Sequence, residues 1–279
     1  MSTSFAVLQL SGCAGCEVSL LNARDWIGRR RLAYMPLVLS SEDLPEVDTL
    51  LVSGAVRTDE DLYRLRIAAG RAREVVAVGT CAISGGVANL GNRDEVRALF
   101  FAEMERRHVP RILPKLSPVD AVVPPTLYLP GCPPTPELFM AALFNRAGFQ
   151  ASKTVCIECG RTKTRDRPER LQGFQQAVVD PEVCLINQGY LCVGSSTRGG
   201  CRAPCTRAGH PCVGCRGPSD GFISRSSGEW MDAIQKVFAR MTDIPAEDIA
   251  RAVRSPQLAL FVFQFADYAA TPRDVRKVL

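Results

Sequence analysis

Twelve cysteines are the residues of this chain whose type and spacing could do chemistry. They are Cys13, Cys16, Cys81, Cys132, Cys156, Cys159, Cys184, Cys192, Cys201, Cys205, Cys212 and Cys215. Thiolates are soft ligands that suit iron–sulfur clusters and zinc. The chain has only two histidines, His108 and His210, so mixed Cys/His zinc sites can account for few of the thiols.

The environment expected for these thiols follows from the rest of the composition. The segment Met1–Cys16 lacks the charged and apolar regions of a signal peptide, and no stretch approaches the roughly 20 apolar residues of a membrane span. We therefore expect a cytoplasmic protein without a direct membrane span. Because the cytoplasm is reducing, twelve thiols there indicate metal binding rather than disulfides.

The net charge of +5 is not concentrated in one tail. The most basic stretch, Arg161–Arg170, is typical of a solvated surface segment, and a docking patch for an acidic partner is the alternative. No aromatic residues alternate with its charges, which argues against nucleic-acid binding. The turn Ser11–Cys16 lacks the Walker lysine and the dinucleotide fingerprint, which argues against nucleotide binding.

The elements that must position the cysteines differ between two regions, 1–150 and 151–279. In the first, apolar runs predict strands, and each is followed by a helical pattern. The strands are expected at Phe5–Leu10, Thr49–Ser53, Val75–Gly79 and Thr126–Leu129. The helices are expected from Glu17, over Asp59–Ala72, over Arg93–Arg107 with Leu99, Phe100 and Met104 on one face, and from Thr135 to Gly148. Continuous apolar strands alternating with helices predict an α/β domain, with a doubly wound parallel sheet covered on both faces.

The second region loses this periodicity. Between Cys156 and Cys215 it is rich in Gly, Pro, Arg and Ser, and it cannot build a conventional core, so metal ligation would have to stabilise it. Helical patterns return at Glu229–Met241 and after Pro245, followed by an apolar run at Leu258–Tyr268. We predict an irregular cysteine-rich domain with C-terminal helices.

Four cysteines of the first region follow predicted strands: Cys13, Cys16, Cys81 and Cys132. Ligands collect at the carboxyl ends of the strands in an open parallel sheet, and four thiolates are the normal complement of a 4Fe-4S cluster. The alternative is that Cys81 and Cys132 are ordinary small buried residues. Because all four fall at strand ends, the pattern favours a cluster.

The other eight cysteines suit two further sites of four ligands each. In sequence order, one site takes Cys156, Cys159, Cys184 and Cys192, and the other takes Cys201, Cys205, Cys212 and Cys215. Two C-x-x-C pairs would also suit tetrahedral zinc, so spacing alone leaves a zinc-stabilised binding module open.

With these motifs in hand, the sequence resembles the small subunits of nickel–iron hydrogenases. The matching pieces are Gly12–Glu17, Gly79–Ala82 with Gly85 and Gly86, Pro130–Pro134, and Gly209–Cys215, in the order of that family. The resemblance implies a flavodoxin-like N-terminal domain that holds the cluster proximal to the nickel–iron centre. It also implies a C-terminal domain with a medial and a distal cluster, and a separate large subunit that contains the active site, so that no catalytic residue is expected here.

Two departures from the family's periplasmic members place the chain nearer the cytosolic multimeric hydrogenases. Cys156 stands where those members use a histidine on the distal cluster, and Cys205 offers a fourth thiol to the medial cluster. The run Gly200–Cys205 is similar to the methyl-viologen-reducing, heterodisulfide-reductase-linked, deazaflavin-reducing and sulfhydrogenase types. The resemblance thus implies three 4Fe-4S clusters ligated only by cysteine.

In that assignment the proximal ligands are Cys13, Cys16, Cys81 and Cys132, the distal ligands Cys156, Cys159, Cys184 and Cys192, and the medial ligands Cys201, Cys205, Cys212 and Cys215. The spacing from Cys184 to Cys192 is long for a distal site, so Cys184 is the weakest of these assignments. Glu17 is interpreted as an acid at a helix N-terminus, placed favourably against the helix dipole; the alternative is that it helps carry protons or orients the proximal site. His210 is interpreted as a hydrogen-bond donor to a cluster sulfur or a residue at the medial rim.

The expected partners are a nickel–iron large subunit and a redox partner, either a flavoprotein, a ferredoxin-like protein or one of heterodisulfide-reductase type. The alternative within redox biochemistry is the related cluster-bearing subunit of respiratory complex I. That subunit has an adjacent cysteine pair and a single cluster, whereas this chain has Cys13-x-x-Cys16 and eight further cysteines.

Overall fold

The computed structural model describes residues 3–40, 43–101, 109–173, 179–222, 227–254 and 274–279. The chain forms two compact units: the first comprises Met1–Phe149 with Lys277–Leu279, and the second comprises Gln150–Arg276. The last residues return to the first unit, where the Leu279 N–H donates to the Tyr128 carbonyl at 3.1 Å. No pattern in the sequence indicates this return.

The first unit is built on a parallel sheet. Its strands are β1 (Ser4–Gln9), β2 (Arg31–Tyr34), β3 (Val47–Ser53), β4 (Val56–Thr58), β5 (Ala72–Val78), β6 (Ile112–Ser117) and β7 (Leu127–Leu129). Five of them form the sheet in the order β2-β1-β3-β5-β7, with all neighbours parallel. Counted in chain order, this is the 2-1-3-4-5 order of flavodoxin-like folds, so the predicted α/β class is confirmed.

The sequence indicates the central strands because they are buried on both faces. Leu50, Val76 and Val78 are fully buried, and such strands read as continuous apolar runs. The remaining strands lack this signal: β2 is a short edge strand that begins with an arginine, and β6 contains Pro114. Accordingly, β4 and β6 form a separate antiparallel pair outside the main sheet.

The helices of the first unit are α1 (Gly15–Asn22), α2 (Asp59–Gly70), α3 (Gly79–Ser84), α4 (Asp94–Phe101) and α5 (Pro136–Phe144). Helix α2 begins with a capping box between Thr58 and Asp61. Helix α5 begins after Thr135 as predicted, although the Thr135 side chain makes no capping hydrogen bond. Helix α4 lies within the predicted helical stretch, and its Leu99 side chain is 75% exposed; residues 102–108, which include Met104, lie outside the described part of the chain.

The second unit contains α6 (Val155–Cys159), α7 (Pro204–Arg207), α8 (Ser227–Met241) and α9 (Ala246–Arg254). Between α6 and α8 the described residues are mostly irregular, as predicted, with isolated bridges Thr162–Val183 and Thr197–Pro218. The predicted apolar run Leu258–Tyr268 lies outside the described residues. None of the helices in the described ranges is long and apolar enough to cross a membrane.

The basic segment Arg161–Arg170 is fixed to the second unit at two points. Arg161 donates from Nε to the Thr206 carbonyl at 2.7 Å. Arg167 donates to the Thr242 carbonyl at 2.6 Å and pairs with Asp243 at 2.8 Å, beyond the end of α8. These two arginines of the segment therefore connect it to other parts of the second unit and help to hold the irregular region in place.

Candidate metal centres

The first set of cysteines converges at the carboxyl end of the parallel sheet. Cys13 follows β1 and Cys16 lies in the first turn of α1, while Cys81 lies in α3 after β5, and Cys132 follows β7. Burial raises the pKa of the Cys16 thiol most, and Glu17, Cys81, Cys132 and Cys13 raise it further. Because the three other thiols lie close enough to Cys16 to raise its pKa, the four predicted proximal ligands are near one another at this edge of the sheet.

Two glycines leave room for sulfur in this set. Gly79 has a φ of +82°, and a Cβ there would lie 2.5 Å from the Cys16 Sγ. Gly86 has a φ of +55°, and a Cβ there would lie 2.7 Å from the Cys81 Sγ. Both positions exclude a side chain by backbone conformation and by contact, so the backbone approaches the thiols as a cluster cradle requires.

Backbone N–H groups also point at the sulfur of Cys81. Burial raises the pKa of Cys81 most, Cys13 raises it further, and hydrogen bonds from the N–H groups of Ala88 and Val87 lower it. Hydrogen bonds of this kind favour the thiolate over the thiol. The turn after α3 thus places two N–H donors close to the Cys81 sulfur, although burial keeps the pKa of this thiol above its usual value.

Glu17 is a buried carboxylate beside this set, only 2% exposed. Its Oε1 accepts a short hydrogen bond from the Ser53 hydroxyl at the end of β3, and its buried Oε2 has no hydrogen-bond partner among the residues that the structure describes. Glu17 does lie in the first turn of α1, as predicted. Its burial against Ser53 shows that it also fixes the start of α1, which bears Cys16, to the central strand.

The second set lies in the second unit, around α6. Desolvation raises the pKa of the Cys156 thiol to about 11, with further contributions from Cys184 and Cys159, whereas Lys163 lowers it. Burial raises the pKa of Cys192 to about 12; Cys156 and Cys184 add to this, and the N–H groups of Gly194 and Cys212 oppose it. The predicted distal ligands, including Cys184, therefore lie near one another.

The third set consists of two pairs of thiols. Burial raises the pKa of Cys201, and Cys205 raises it further, while the N–H of Ala203 and the cation of Arg216 lower it. Burial also raises the pKa of Cys212 well above its usual value, and Cys192 and Cys215 add to this. The Arg216 guanidinium interacts with both Cys201 and Cys215 and thus connects the two pairs of predicted medial ligands.

A hydrogen bond joins the second and third sets. The N–H of Cys212 donates to the Sγ of Cys192 at 3.3 Å, and the N–H of Val193 donates to the Cys212 carbonyl at 3.0 Å. The backbone of one set is therefore in direct contact with a thiol of the other.

One ring nitrogen of His210 contacts a backbone carbonyl rather than a sulfur. Its Nδ1 lies 2.8 Å from the Pro211 carbonyl, which can only accept, so Nδ1 is the donor in this contact. This interaction fixes the ring next to Cys212 without making it a ligand through Nδ1.

Two charged residues that sequence reasoning missed hold the loop that carries Cys201. The Glu158 carboxylate accepts hydrogen bonds from the N–H groups of Gly200 and Arg202, the latter at 2.7 Å. Arg216 donates to the Gly199 carbonyl at 2.8 Å. Their positions, inside the Cys156–Cys159 motif and directly after Cys215, are the only sequence signal for either, because the contacts span long separations along the chain.

The donor chemistry of the three sets fits thiolate-ligated metal centres. Clustered, buried thiols resist ionisation when no cation is near, whereas a coordinated metal ion deprotonates them outright. Four thiols, a glycine cradle and N–H donors to sulfur are what an iron–sulfur cluster needs. Within the described ranges, no three Cys, His, Asp or Glu side chains converge closely enough to ligate one single ion.

Comparisons with known proteins agree with this description. A family model described as NADH ubiquinone oxidoreductase, 20 Kd subunit, matches residues 13–145. A subunit of the vhu F420-non-reducing hydrogenase of Methanococcus voltae is 35% identical over 245 residues, which cover 79% of this chain and 84% of the relative. The delta subunit of sulfhydrogenase 2 of Pyrococcus furiosus is 29% identical over 258 residues, 89% of this chain and 97% of that one.

A solved structure shows the same fold. A chain of the recombinant nickel–iron–selenium hydrogenase of Desulfovibrio vulgaris Hildenborough superposes with a TM-score of 0.50 and 18% identity, covering 79% of this chain and 96% of its own length. The two hydrogenase relatives show that the chain is a subunit of an oxidoreductase that acts on hydrogen. It belongs to the small subunits of the nickel–iron hydrogenases, and the predicted resemblance is confirmed.

Proposed function

We propose that this chain conducts electrons through three 4Fe-4S clusters, between the nickel–iron site of a large subunit and a redox partner. The proximal cluster is held by Cys13, Cys16, Cys81 and Cys132. The distal cluster is held by Cys156, Cys159, Cys184 and Cys192, and the medial cluster by Cys201, Cys205, Cys212 and Cys215. Each cluster supplies one-electron redox chemistry when bound; dihydrogen itself reacts in the large subunit.

The observation that carries this proposal is the contact between the second and third sets. Cys192 and Cys212 belong to different sets, yet a hydrogen bond of 3.3 Å joins the sulfur of one to the backbone of the other. If clusters were bound at both sites, the path between them would need only this hydrogen bond and the atoms of a single cysteine. A protein that used its metals only as structural staples would not need its sites connected in this way.

The residues around the sulfurs have two tasks in this function. Gly79 and Gly86 admit the sulfurs of Cys16 and Cys81 close to the backbone. The N–H groups of Val87 and Ala88 at one set, and of Gly194 at another, hydrogen-bond the ligating thiols. Such hydrogen bonds stabilise the more negative, reduced cluster, and they are one means by which a protein sets the reduction potential.

The partners follow from the family. We propose a nickel–iron large subunit and a redox partner that is a flavoprotein, a ferredoxin-like protein or a subunit of heterodisulfide-reductase type. The relatives named F420-non-reducing support an acceptor other than F420. We place the complex in the cytoplasm, without a role in nucleic-acid binding.

Two alternatives remain distinct from this proposal. A single-cluster subunit of complex I type is disfavoured, since the matching family model ends at residue 145 and leaves eight of the twelve cysteines outside it. A zinc-stabilised binding module would use the same thiols without any electron transfer.

Metal analysis of the complex, purified anaerobically through a tag on this chain, tests the proposal. The expected result is about twelve iron atoms and equal acid-labile sulfide per chain, as three 4Fe-4S clusters require, with nickel in a second polypeptide. Zinc without sulfide would leave the binding module instead. Iron and sulfide near one cluster would favour the complex I type, and full iron without nickel would keep the electron carrier but remove the hydrogenase.

A further inference from the structure

Arg216 is the most deeply buried cation of the second unit among the described residues. Its side chain is 1% exposed, and it is one of the largest fully buried side chains. Its Nε and one terminal nitrogen donate to the Gly199 carbonyl at 3.2 and 2.8 Å. Burying a guanidinium is unfavourable unless anions surround it, and a carbonyl supplies only a dipole.

The surroundings of Arg216 identify negative groups that can stabilise its charge. Arg216 directly follows Cys215, and its hydrogen bonds to the Gly199 carbonyl place the guanidinium against the loop that carries Cys201. Burial, and then Arg198, lower the pKa of Arg216 to about 10; in agreement with this placement, Cys201, Cys215 and Glu158 raise it against these larger effects. Among the described residues, the thiols of the third set and the Glu158 carboxylate, whose Oε2 lies 4.0 Å from the Cys201 Sγ, are thus negative groups close to Arg216.

We propose that Arg216 is a positioning residue that serves as the fixed positive charge of the site formed by Cys201, Cys205, Cys212 and Cys215, and that it raises the reduction potential of the cluster there. This inference rests on the proposed function, in which these thiols hold a cluster. Four thiolates make a 4Fe-4S centre anionic, and reduction adds one more negative charge. A nearby cation in a low-dielectric interior therefore stabilises the reduced state more than the oxidised state.

The three sites differ in the charge that accompanies them. The first has the buried carboxylate of Glu17 next to Cys16. The second has Lys163, whose side chain is exposed and screened by solvent. The third has the buried guanidinium of Arg216 together with the Glu158 carboxylate on the Cys201 loop. Of these charges only Arg216 is a buried cation, so its removal is expected to change the reduction potential of the third site most.

The test is an equilibrium redox titration of the intact complex, followed by electron paramagnetic resonance, with iron and sulfide measured on the same samples. Arg216→Gln removes the charge and keeps hydrogen-bond donors, whereas Arg216→Lys keeps the charge. Arg165→Gln is the matched control, because it removes the same charge from an exposed position of the same unit.

In Arg216→Gln we expect the redox equilibrium of one cluster to shift at least tenfold towards the oxidised form, which is about 59 mV for a one-electron couple. Arg216→Lys and Arg165→Gln are expected to titrate like the unmodified complex. If Arg216→Gln instead loses one cluster while Arg216→Lys retains it, the positive charge is needed to assemble the cluster, which also supports the inference.

Three results would overturn it: unchanged potentials in a fully loaded Arg216→Gln complex, loss of the cluster in Arg216→Lys as well, or an equal shift in Arg165→Gln. Failure of the proposed function is distinguishable from these outcomes, because the unmodified complex would then lack the iron and sulfide of three clusters.

Discussion

The two units position their cysteines by different physical means. In the first, Cys13, Cys81 and Cys132 are placed by strands that pair in register over buried apolar runs. In the second, the cysteines lie in irregular loops held by hydrogen bonds from side chains to the backbone, among them those of Glu158 and Arg216. The first unit has an apolar core beneath its proposed metal site, whereas we infer that the second is organised around its proposed sites.

Because of this difference, we expect the loss of metal to destabilise the second unit more than the first. The apolar core beneath the first set includes Phe5, Leu51, Val76 and Phe139, and its burial continues when a ligand is lost. The region between α6 and α8 buries an apolar stretch around Leu185, Ile186, Tyr190 and Val193 but is otherwise irregular. We therefore expect its backbone to depend on polar contacts between distant residues and, in the proposed function, on ligation. Binding free energy at a metal site is then folding free energy.

Removal of the clusters is expected to have the largest effect, and the two units are expected to respond differently. After oxidative extraction with a chelator, residues 179–222 should lose most of their amide protection, whereas β1, β3 and β5 should keep theirs. Hydrogen exchange with mass spectrometry on the whole complex measures both regions in one experiment. Equal loss of protection in both units would show that the sheet also depends on its cluster.

The next effect concerns the backbone cradle of the first set. Gly79→Ala places a methyl group where a Cβ would lie 2.5 Å from the Cys16 Sγ, and Gly28→Ala is the control, because Gly28 has a φ of +78° with nothing within 4 Å. Both substitutions should destabilise the protein by about 1 kcal/mol through the positive φ.

Only Gly79→Ala should also lose about four iron atoms per chain, the content of one 4Fe-4S cluster. Iron and sulfide analysis of the two purified variants tests this expectation. Full iron in Gly79→Ala would mean that the backbone can move away from the sulfur, and it would contradict the cradle.

The sequence predicts the first unit better than the second for the same reason. Apolar runs such as Thr49–Ser53 are recognisable as buried strands from the sequence alone. The ends of such strands then place Cys81 and Cys132 on one edge of the sheet. By contrast, nothing local shows that Glu158 reaches Arg202, because the contact spans 44 residues along the chain. The pattern of α4 places Leu99 on one face of the helix, but so short a pattern does not show that this side chain is exposed.

A third, intermediate effect concerns the loop that carries Cys201. Arg202 and Ala203 have φ values of +62° and +52°, a conformation that non-glycine residues adopt only when their surroundings hold them. Glu158→Ala removes the acceptor for two N–H groups of this loop. We expect a loss of about 1–3 kcal/mol at this site, measured as iron released to a chelator at least tenfold faster, roughly the rate equivalent of 1.4 kcal/mol.

Glu182→Ala provides the comparison for that experiment, because Glu182 is an exposed carboxylate of the same unit. It should release iron at the rate of the unmodified complex. If both variants release iron at the same rate, the Glu158 contacts do not hold the loop. The second unit then depends on metal ligation even more than proposed here.

The smallest effect is expected at the capping box of α2, where the first unit relies on local structure rather than on metal. Thr58→Ala removes the hydroxyl that accepts from the Asp61 N–H at 3.1 Å. Loss of such a cap destabilises a helix by about 0.5–2 kcal/mol. The lower part of that range is expected here, because the Asp61 carboxylate stays held by Ser11 at 2.7 Å and by the Arg57 N–H at 3.0 Å. Faster hydrogen exchange in the first turn of α2, restored in Thr58→Ser and accompanied by unchanged iron, is the expected pattern; loss of iron would instead show that this cap supports the neighbouring Cys13 loop through Ser11.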